Sequence, residues 1–284
     1  MTEPAPRQSH RMVAVLPTLL TLANAVCGFG AITFAAKLGP SDPSGQASMI
    51  AASLVFLAML FDMLDGHAAR LTRQTSELGA QLDSLCDAIS FGVAPAFLML
   101  QFVNKELPVE GWLAFHPRLL WTIAALFVVC AVLRLARFNV ETDEEDSHEE
   151  FRGLPSPAAA GTIVAFPFAM PTLTSWTTGE SGTWIEQMLA GWVVPGVRTV
   201  LPLFALVLAC LMVSRVRYPH VSVLLLRRER SRRHVIPFVF GLAVVFWIQE
   251  VAVPVAFLVF AFGLPFTDVF RKVMAGELYK PWKI

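Results

Sequence analysis

Apolar residues in this chain fall in long uninterrupted blocks, with neither the alternation of a half-buried strand nor the single stripe of a soluble amphipathic helix. Several blocks approach the ~20 residues that cross a bilayer as a helix. Read in order, they predict spans over Leu19–Lys37, Ser48–Leu64, Cys86–Val103, Leu119–Arg137, Ser156–Thr174 and Thr199–Ser214. A last hairpin is predicted from Val235–Ile248 and Val251–Phe270, with Gln249 and Glu250 at its turn. Polar or turn-rich stretches separate them: Leu38–Ala47 with Gly39, Pro40, Pro43 and Gly45, then Gly66–Ser84, then Lys105–Arg118. The expected fold is therefore all-α, a polytopic membrane bundle of about eight spans.

Composition agrees with that pattern. The 284 residues are 55% hydrophobic and only 15% charged, where a soluble domain carries about a quarter charged residues; the mean hydropathy is +0.59. Cys27, Cys86, Cys130 and Cys210 show no paired spacing and read as buried thiols. Met1–Arg11 is polar and the block after it is too long for the apolar core of a signal peptide, so no cleaved leader is expected. Trp176, Trp184 and Trp192 suit a membrane–water interface.

Formal net charge is zero, so only its distribution informs. With both termini cytoplasmic, 18 of the 22 Lys and Arg residues lie inside, leaving Lys37, Lys105, Arg118 and Arg198 outside. That asymmetry favours an even number of spans. It also puts the stretch around residues 62–87 on the cytoplasmic side. The acidic run Glu141–Glu150 reads as a solvated loop. The seven arginines of the basic connection Arg215–His234 suit anionic headgroups. No nucleic-acid partner is expected.

The chemistry concentrates between Asp62 and Asp87. Asp62 and Asp65 are three residues apart, and Asp83 and Asp87 four apart, so each pair shares one face of a helix. Two such faces brought together put four carboxylates into one small volume, which demands neutralising cations. Oxygen-only ligands favour Mg²⁺ or Mn²⁺ over zinc. Gly66 follows Asp62 by one turn and Ala69 follows Asp65 by one turn. Small residues there leave room for a ligand to approach the helix, or for close helix packing. Arg70 presents a fork suited to phosphate oxygens or serves as a cytoplasmic anchor, and His67 faces elsewhere. Thr21 and Asn24, polar inside a span, require partners. Cys27-Gly28-Phe29-Gly30 reads as a helix-packing surface.

The spacing D-x2-D-G-x2-A-R-x8-G-x3-D-x3-D, with all eight fixed positions present, resembles the signature of the CDP-alcohol phosphotransferases. A chance match at a given start is on the order of 10⁻¹⁰ at ordinary residue frequencies. The resemblance implies two Mg²⁺ or Mn²⁺ ions held chiefly by Asp62, Asp65 and Asp83, with Asp87 as proton acceptor that also touches metal. It assigns the CDP-linked lipid to Thr21, Asn24, Gly66, Ala69, Arg70, Ser76 and Gly79, with Arg70 on the pyrophosphate, and it implies a homodimer.

Three further stretches, Asp83–Ala96, Leu135–Asn139 and Phe151–Gly161, resemble the family's CDP-diacylglycerol–serine O-phosphatidyltransferase branch, as does Met212–Pro219. That likeness covers about residues 12–220 and implies CDP-diacylglycerol and L-serine as substrates. Arg134, Arg137 and Asn139 are then candidates for holding serine, although arginines at a span end also serve as topology anchors. Glycerol 3-phosphate, inositol phosphate or choline as acceptor remains the alternative within this chemistry. A cation-coupled transporter is the alternative outside it. The expected organisation is an interfacial segment 1–18, a six-helix catalytic domain 19–214, the basic connection 215–234 and a C-terminal hairpin and tail 235–284, in a prokaryotic inner membrane.

Overall fold

A chain this apolar must satisfy its backbone polar groups within each segment if it lies in lipid, and helices do so. The computed structural model describes residues 9–39, 45–72, 77–105, 115–141, 150–177, 183–214, 217–219 and 251–274. Helices α1 (Ser9–Ala36) and α2 (Gln46–Thr72) form the most extensive helix pair. Next come α3 (Glu77–Asp87), a π-helical turn Ala88–Val93 and α4 (Ala94–Lys105). Then follow α5 (Pro117–Glu141), α6 (Ser156–Thr177), α7 (Trp184–Val213) and α8 (Ala252–Met274). Strands β1 (Glu150–Arg152) and β2 (Arg217–Pro219) pair antiparallel with Phe151 opposite Tyr218, a three-residue exception to the expected all-α fold.

Five helices are long and apolar enough to cross a membrane: Pro17–Ala36, Gln46–Ala68, Leu78–Lys105, Pro117–Val140 and Ser156–Thr177. The bent pair Trp184–Val197 and Thr199–Val213, which meet at 59°, makes a sixth when counted as one span. Pro202 lacks the N–H that would bond the carbonyl four residues earlier, at the bend. This chain is an integral membrane protein with five or six spans among the described residues. The predicted span Val235–Ile248 and most of the basic connection lie outside them, as does the acidic run except its ends. Helix α8, Ala252–Met274, falls where the last predicted span, Val251–Phe270, was expected.

Several boundaries differ from the sequence expectation, the start of α7 at Trp184 rather than Thr199 among them. The third span begins at Leu78 rather than Cys86, and α2 runs past Leu64 to Thr72. The motif's polar residues lower the local hydropathy without breaking the helices. Glu77, Leu78, Ala80, Gln81 and Leu82 are good helix formers. Trp184 and Trp192 stand exposed on the first half of α7.

Small residues draw α1 and α2 together: Ala31 and Ala35 on one, Ala51, Ala52 and Ala58 on the other, all buried. Val26, Phe29, Trp121 and Val129 point outward, as lipid-facing residues do. Helix α6 is the hub, packing on α2, α4, α7 and α8. Phe257 of α8 lies over Gly161 of α6 and stacks on Phe56 of α2 at 5.7 Å between centroids.

The turn into α6 is fixed by Gly153, whose φ of +89° suits glycine. A Cβ there would strike the Met212 carbonyl oxygen at the end of α7, and the adjacent Leu154 N–H donates to Leu211 O at 3.1 Å. Gly153→Ala is expected to cost about 2–4 kcal/mol from combined backbone strain and overpacking. The check is the thermal midpoint of the detergent-solubilised protein; an unchanged midpoint would show that this turn does not anchor α6 to α7.

Candidate active site

Asp62 and Asp65 stand on the C-terminal half of α2, and Asp83 and Asp87 on the last turns of α3. Because α2 continues through the motif, each pair lies on one helical face, as the spacing predicts. Ligand oxygens of Asp62, Asp83 and Asp87 all lie within 4.8 Å of one another. Asp65 is buried at 5% exposure, beside Thr21 and within the field of Asp83. Both Asp65 Oδ2 and Asp83 Oδ1 are buried without a hydrogen-bond partner. Clustered anionic oxygens without donors fit a hard divalent cation of the Mg²⁺ or Mn²⁺ kind.

Helix α1 supplies the next layer. Asn24, fully buried, donates from Nδ2 to Asp87 Oδ1 at 2.9 Å. Its own backbone carbonyl accepts from Ser90 Oγ, also at 2.9 Å, on the π-helical turn that follows Asp87. Asn24 Oδ1 is buried without a partner. The π turn places Ser90 against α1, and such turns recur at functional sites. Gly28 makes that approach feasible: a Cβ on it would collide with Ser90 Oγ and stand 2.8 Å from Ser90 Cα. The sequence reading of Gly28 as a packing residue therefore holds. The hydrogen bond from Asn24 to Asp87 and the role of Ser90 were not legible there.

The acceptor candidates on α5 separate. Arg134 is near enough to Asp62 and Asp87 for its charge to act on both, and its Nη1 donates to Ser156 Oγ at 2.9 Å. Arg137, one turn on, is half-buried. Asn139 donates from Nδ2 to Ser84 Oγ at 2.9 Å, a bond that ties α5 to α3 beside Asp83. Ser156, fully buried at the start of α6, was not among the sequence candidates. Its signal was the Gly153-Leu154-Pro155-Ser156-Pro157 turn.

The remaining predicted residues are less concentrated. Gly66 on α2 and Gly79 in the first turn of α3 are half-buried. Ala69 and Arg70 belong to α2, and Ser76 lies outside the described residues. His67 is exposed, with Nδ1 3.3 Å from the Met63 carbonyl, away from the acidic cluster's work. Cys27, Cys86 and Cys130 are buried free thiols, whereas Cys210 is exposed, because its position on α7 turns outward.

Fold and site together define an integral membrane protein with a carboxylate cluster built between two of its helices. The chain belongs to the CDP-alcohol phosphatidyltransferase family, whose model matches residues 14–211. It is similar to the CDP-diacylglycerol–serine O-phosphatidyltransferase of Helicobacter pylori (strain J99), 31% identical over 206 residues, 72% of each chain. The enzyme of the same name from Mycobacterium tuberculosis is 35% identical over 154 residues, 53% of this chain and 48% of the relative. The chain thus spans about half the length of that relative. The archaetidylserine synthase of Methanothermobacter thermautotrophicus is 39% identical over 153 residues, 53% of this chain and 57% of the relative.

Proposed function

We propose that this protein transfers the phosphatidyl group of CDP-diacylglycerol to the hydroxyl of L-serine, giving phosphatidylserine and CMP. The observation that carries the reading is the convergence of Asp62, Asp83 and Asp87 oxygens within 4.8 Å. The serine-linked names of the relatives support the choice of acceptor.

Asp62, Asp65, Asp83 and Asp87 would hold two Mg²⁺ or Mn²⁺ ions, which would offset charge on the pyrophosphate and on the departing CMP. The chain's own residues do the rest. Thr21, Asn24, Gly66, Ala69, Arg70, Ser76 and Gly79 would take the CDP-linked lipid, as the family resemblance implies, with Arg70 pairing with phosphate oxygens. Asp87 takes the proton from the serine hydroxyl as its oxygen bonds to the lipid-bearing phosphorus. The bond from that phosphorus to the CMP oxygen breaks. Asn24 holds Asp87 Oδ1, which leaves the other oxygen to receive the proton. Arg134, with Arg137 and Asn139 farther along α5, supplies the acceptor side.

The catalytic unit is residues 19–214, preceded by an interfacial segment 1–18 and followed by the basic connection 215–234 and a hairpin and tail over 235–284. Both termini and the active site face the cytoplasm of a prokaryotic inner membrane, as the distribution of Lys and Arg supports. The working form is a homodimer.

The test is CMP release by purified protein with CDP-diacylglycerol, offering one acceptor at a time. Serine-dependent release is expected, abolished by chelator and restored by Mn²⁺ or Mg²⁺. Release with glycerol 3-phosphate, inositol phosphate or choline but not serine would move the reading to another alcohol. No release with any alcohol would leave the transporter alternative standing.

A further inference from the structure

The guanidinium of Arg134 is anchored at one end only. Nη1 donates to Ser156 Oγ at 2.9 Å, while Nε is buried and has no hydrogen-bond partner. The two nitrogens are not equivalent in what they leave over. In a guanidinium, Nε and Nη2 present parallel N–H bonds along one edge, and that edge receives a carboxylate or phosphate through two hydrogen bonds. Fixing Nη1 on the neutral Ser156 hydroxyl thus leaves the edge containing Nε for an oxyanion. An unmatched buried N–H of a charged group is costly, so the arrangement is explained by a ligand that meets it.

Ser156 is itself set by the chain around it. Gly153 closes against Met212 O and Leu154 N–H bonds Leu211 O, so the turn is held to the end of α7. Two residues later Ser156 opens α6, fully buried. Its hydroxyl oxygen is therefore a fixed acceptor rather than a mobile surface group.

We propose that Ser156 is a positioning residue for acceptor selection: by holding Arg134 Nη1 it aims the Nε–Nη2 edge at the carboxylate of an amino-acid alcohol whose hydroxyl lies at Asp87. This rests on the serine reading above and deepens it. In serine the carboxylate and the hydroxyl are separated by two carbons, so a hydroxyl at Asp87 brings the carboxylate within one small molecule's length. Arg134 is the α5 cation whose charge acts on both Asp87 and Asp62. Asn139, by contrast, is engaged with Ser84. The same edge also suits a phosphate of the CDP-linked donor, and the experiment separates these two oxyanions.

The measurement is steady-state CMP release by the full-length protein, varying serine and CDP-diacylglycerol separately, with ethanolamine as the acceptor that lacks the carboxylate. Ser156→Ala is expected to raise the KM for serine about 10-fold. The KM for CDP-diacylglycerol should stay within about twofold, and any release that wild type shows with ethanolamine should not fall. Ser156→Thr restores the hydroxyl and is expected to recover most of the serine affinity. If Ser156→Ala does not fold, Ser156→Cys, which keeps the volume with a weaker acceptor, is read in the same way. A rise in the donor KM instead would assign the edge to the donor phosphate and overturn the proposal. Unchanged constants for both substrates, or an equal loss with serine and ethanolamine, would overturn it too. Wild-type protein that releases no CMP with serine would instead refute the underlying reaction, a distinct result.

Discussion

Asp87→Asn protein is expected to release CMP about 10³-fold more slowly than wild type while its KM for CDP-diacylglycerol changes by less than about threefold. A positioned general base contributes about 10²–10⁴-fold, and Asp87 also gives one of the three oxygens that converge within 4.8 Å. Asparagine keeps the shape, so packing around the site is preserved. It also keeps an oxygen for the bond from Asn24 Nδ2 at 2.9 Å. What it removes is the capacity to accept a proton and one negative charge of the cluster. The loss should therefore fall on kcat rather than on donor binding, the signature of an interaction made in the transition state. Added Mn²⁺ up to millimolar levels should recover only part of it. Retention of more than a tenth of the wild-type kcat would falsify the assignment of Asp87 as proton acceptor.

The carboxylate cluster was legible because its logic is local. Spacings of three and four residues place side chains on one helical face whatever the rest of the fold does, and both pairs do sit on helices. The spans among the described residues were legible for the same reason: long apolar blocks leave the backbone few options in lipid. Where local signals conflicted, boundaries were lost. Hydropathy reads Gly66–Ser84 as a polar interruption, yet α2 continues to Thr72 and α3 starts at Glu77, because polarity does not by itself break a helix.

The contacts that shape the site could not be read this way. Asn24 and Asp87 are 63 residues apart in sequence, and Arg134 and Ser156 are 22 apart. No pattern assigns Nδ2 of one asparagine to one of four aspartates. The sequence offered Thr21 and Asn24 as polar residues in need of partners, and Phe151–Gly161 only as a stretch resembling the serine branch. Packing supplies the decision. Thr21 lies beside Asp65, Asn24 bonds Asp87, and the turn delivers Ser156 to Arg134. The π-helical turn at Ala88–Val93 had no local marker either, since its residues form ordinary helix elsewhere.

Gly28→Ala is expected to lower CMP release by about 10–100-fold, although Gly28 touches neither substrate nor carboxylate. Gly28 follows Asn24 by one turn of α1, directly over Ser90. A single methyl would collide with Ser90 Oγ and stand 2.8 Å from Ser90 Cα, which is backbone and cannot rotate aside. The helices must then separate. Overpacking of this kind costs about 1–3 kcal/mol, so the thermal midpoint should fall by several degrees. The functional loss is larger because the same approach carries two bonds in series, Ser90 Oγ to Asn24 O and Asn24 Nδ2 to Asp87 Oδ1. Misplacing a reacting group by about 1 Å costs on the order of 10²-fold. Gly30→Ala is the control on the same helix. Its Cβ would meet only the Leu54 Cδ1 methyl at 3.2 Å, the end of a flexible side chain, so rate and stability should stay close to wild type. If both variants turn over equally well, the close approach of α1 to the π turn does not set the geometry of Asp87. If Gly28→Ala alone fails while its donor KM holds, a packing glycine is what places the proton acceptor.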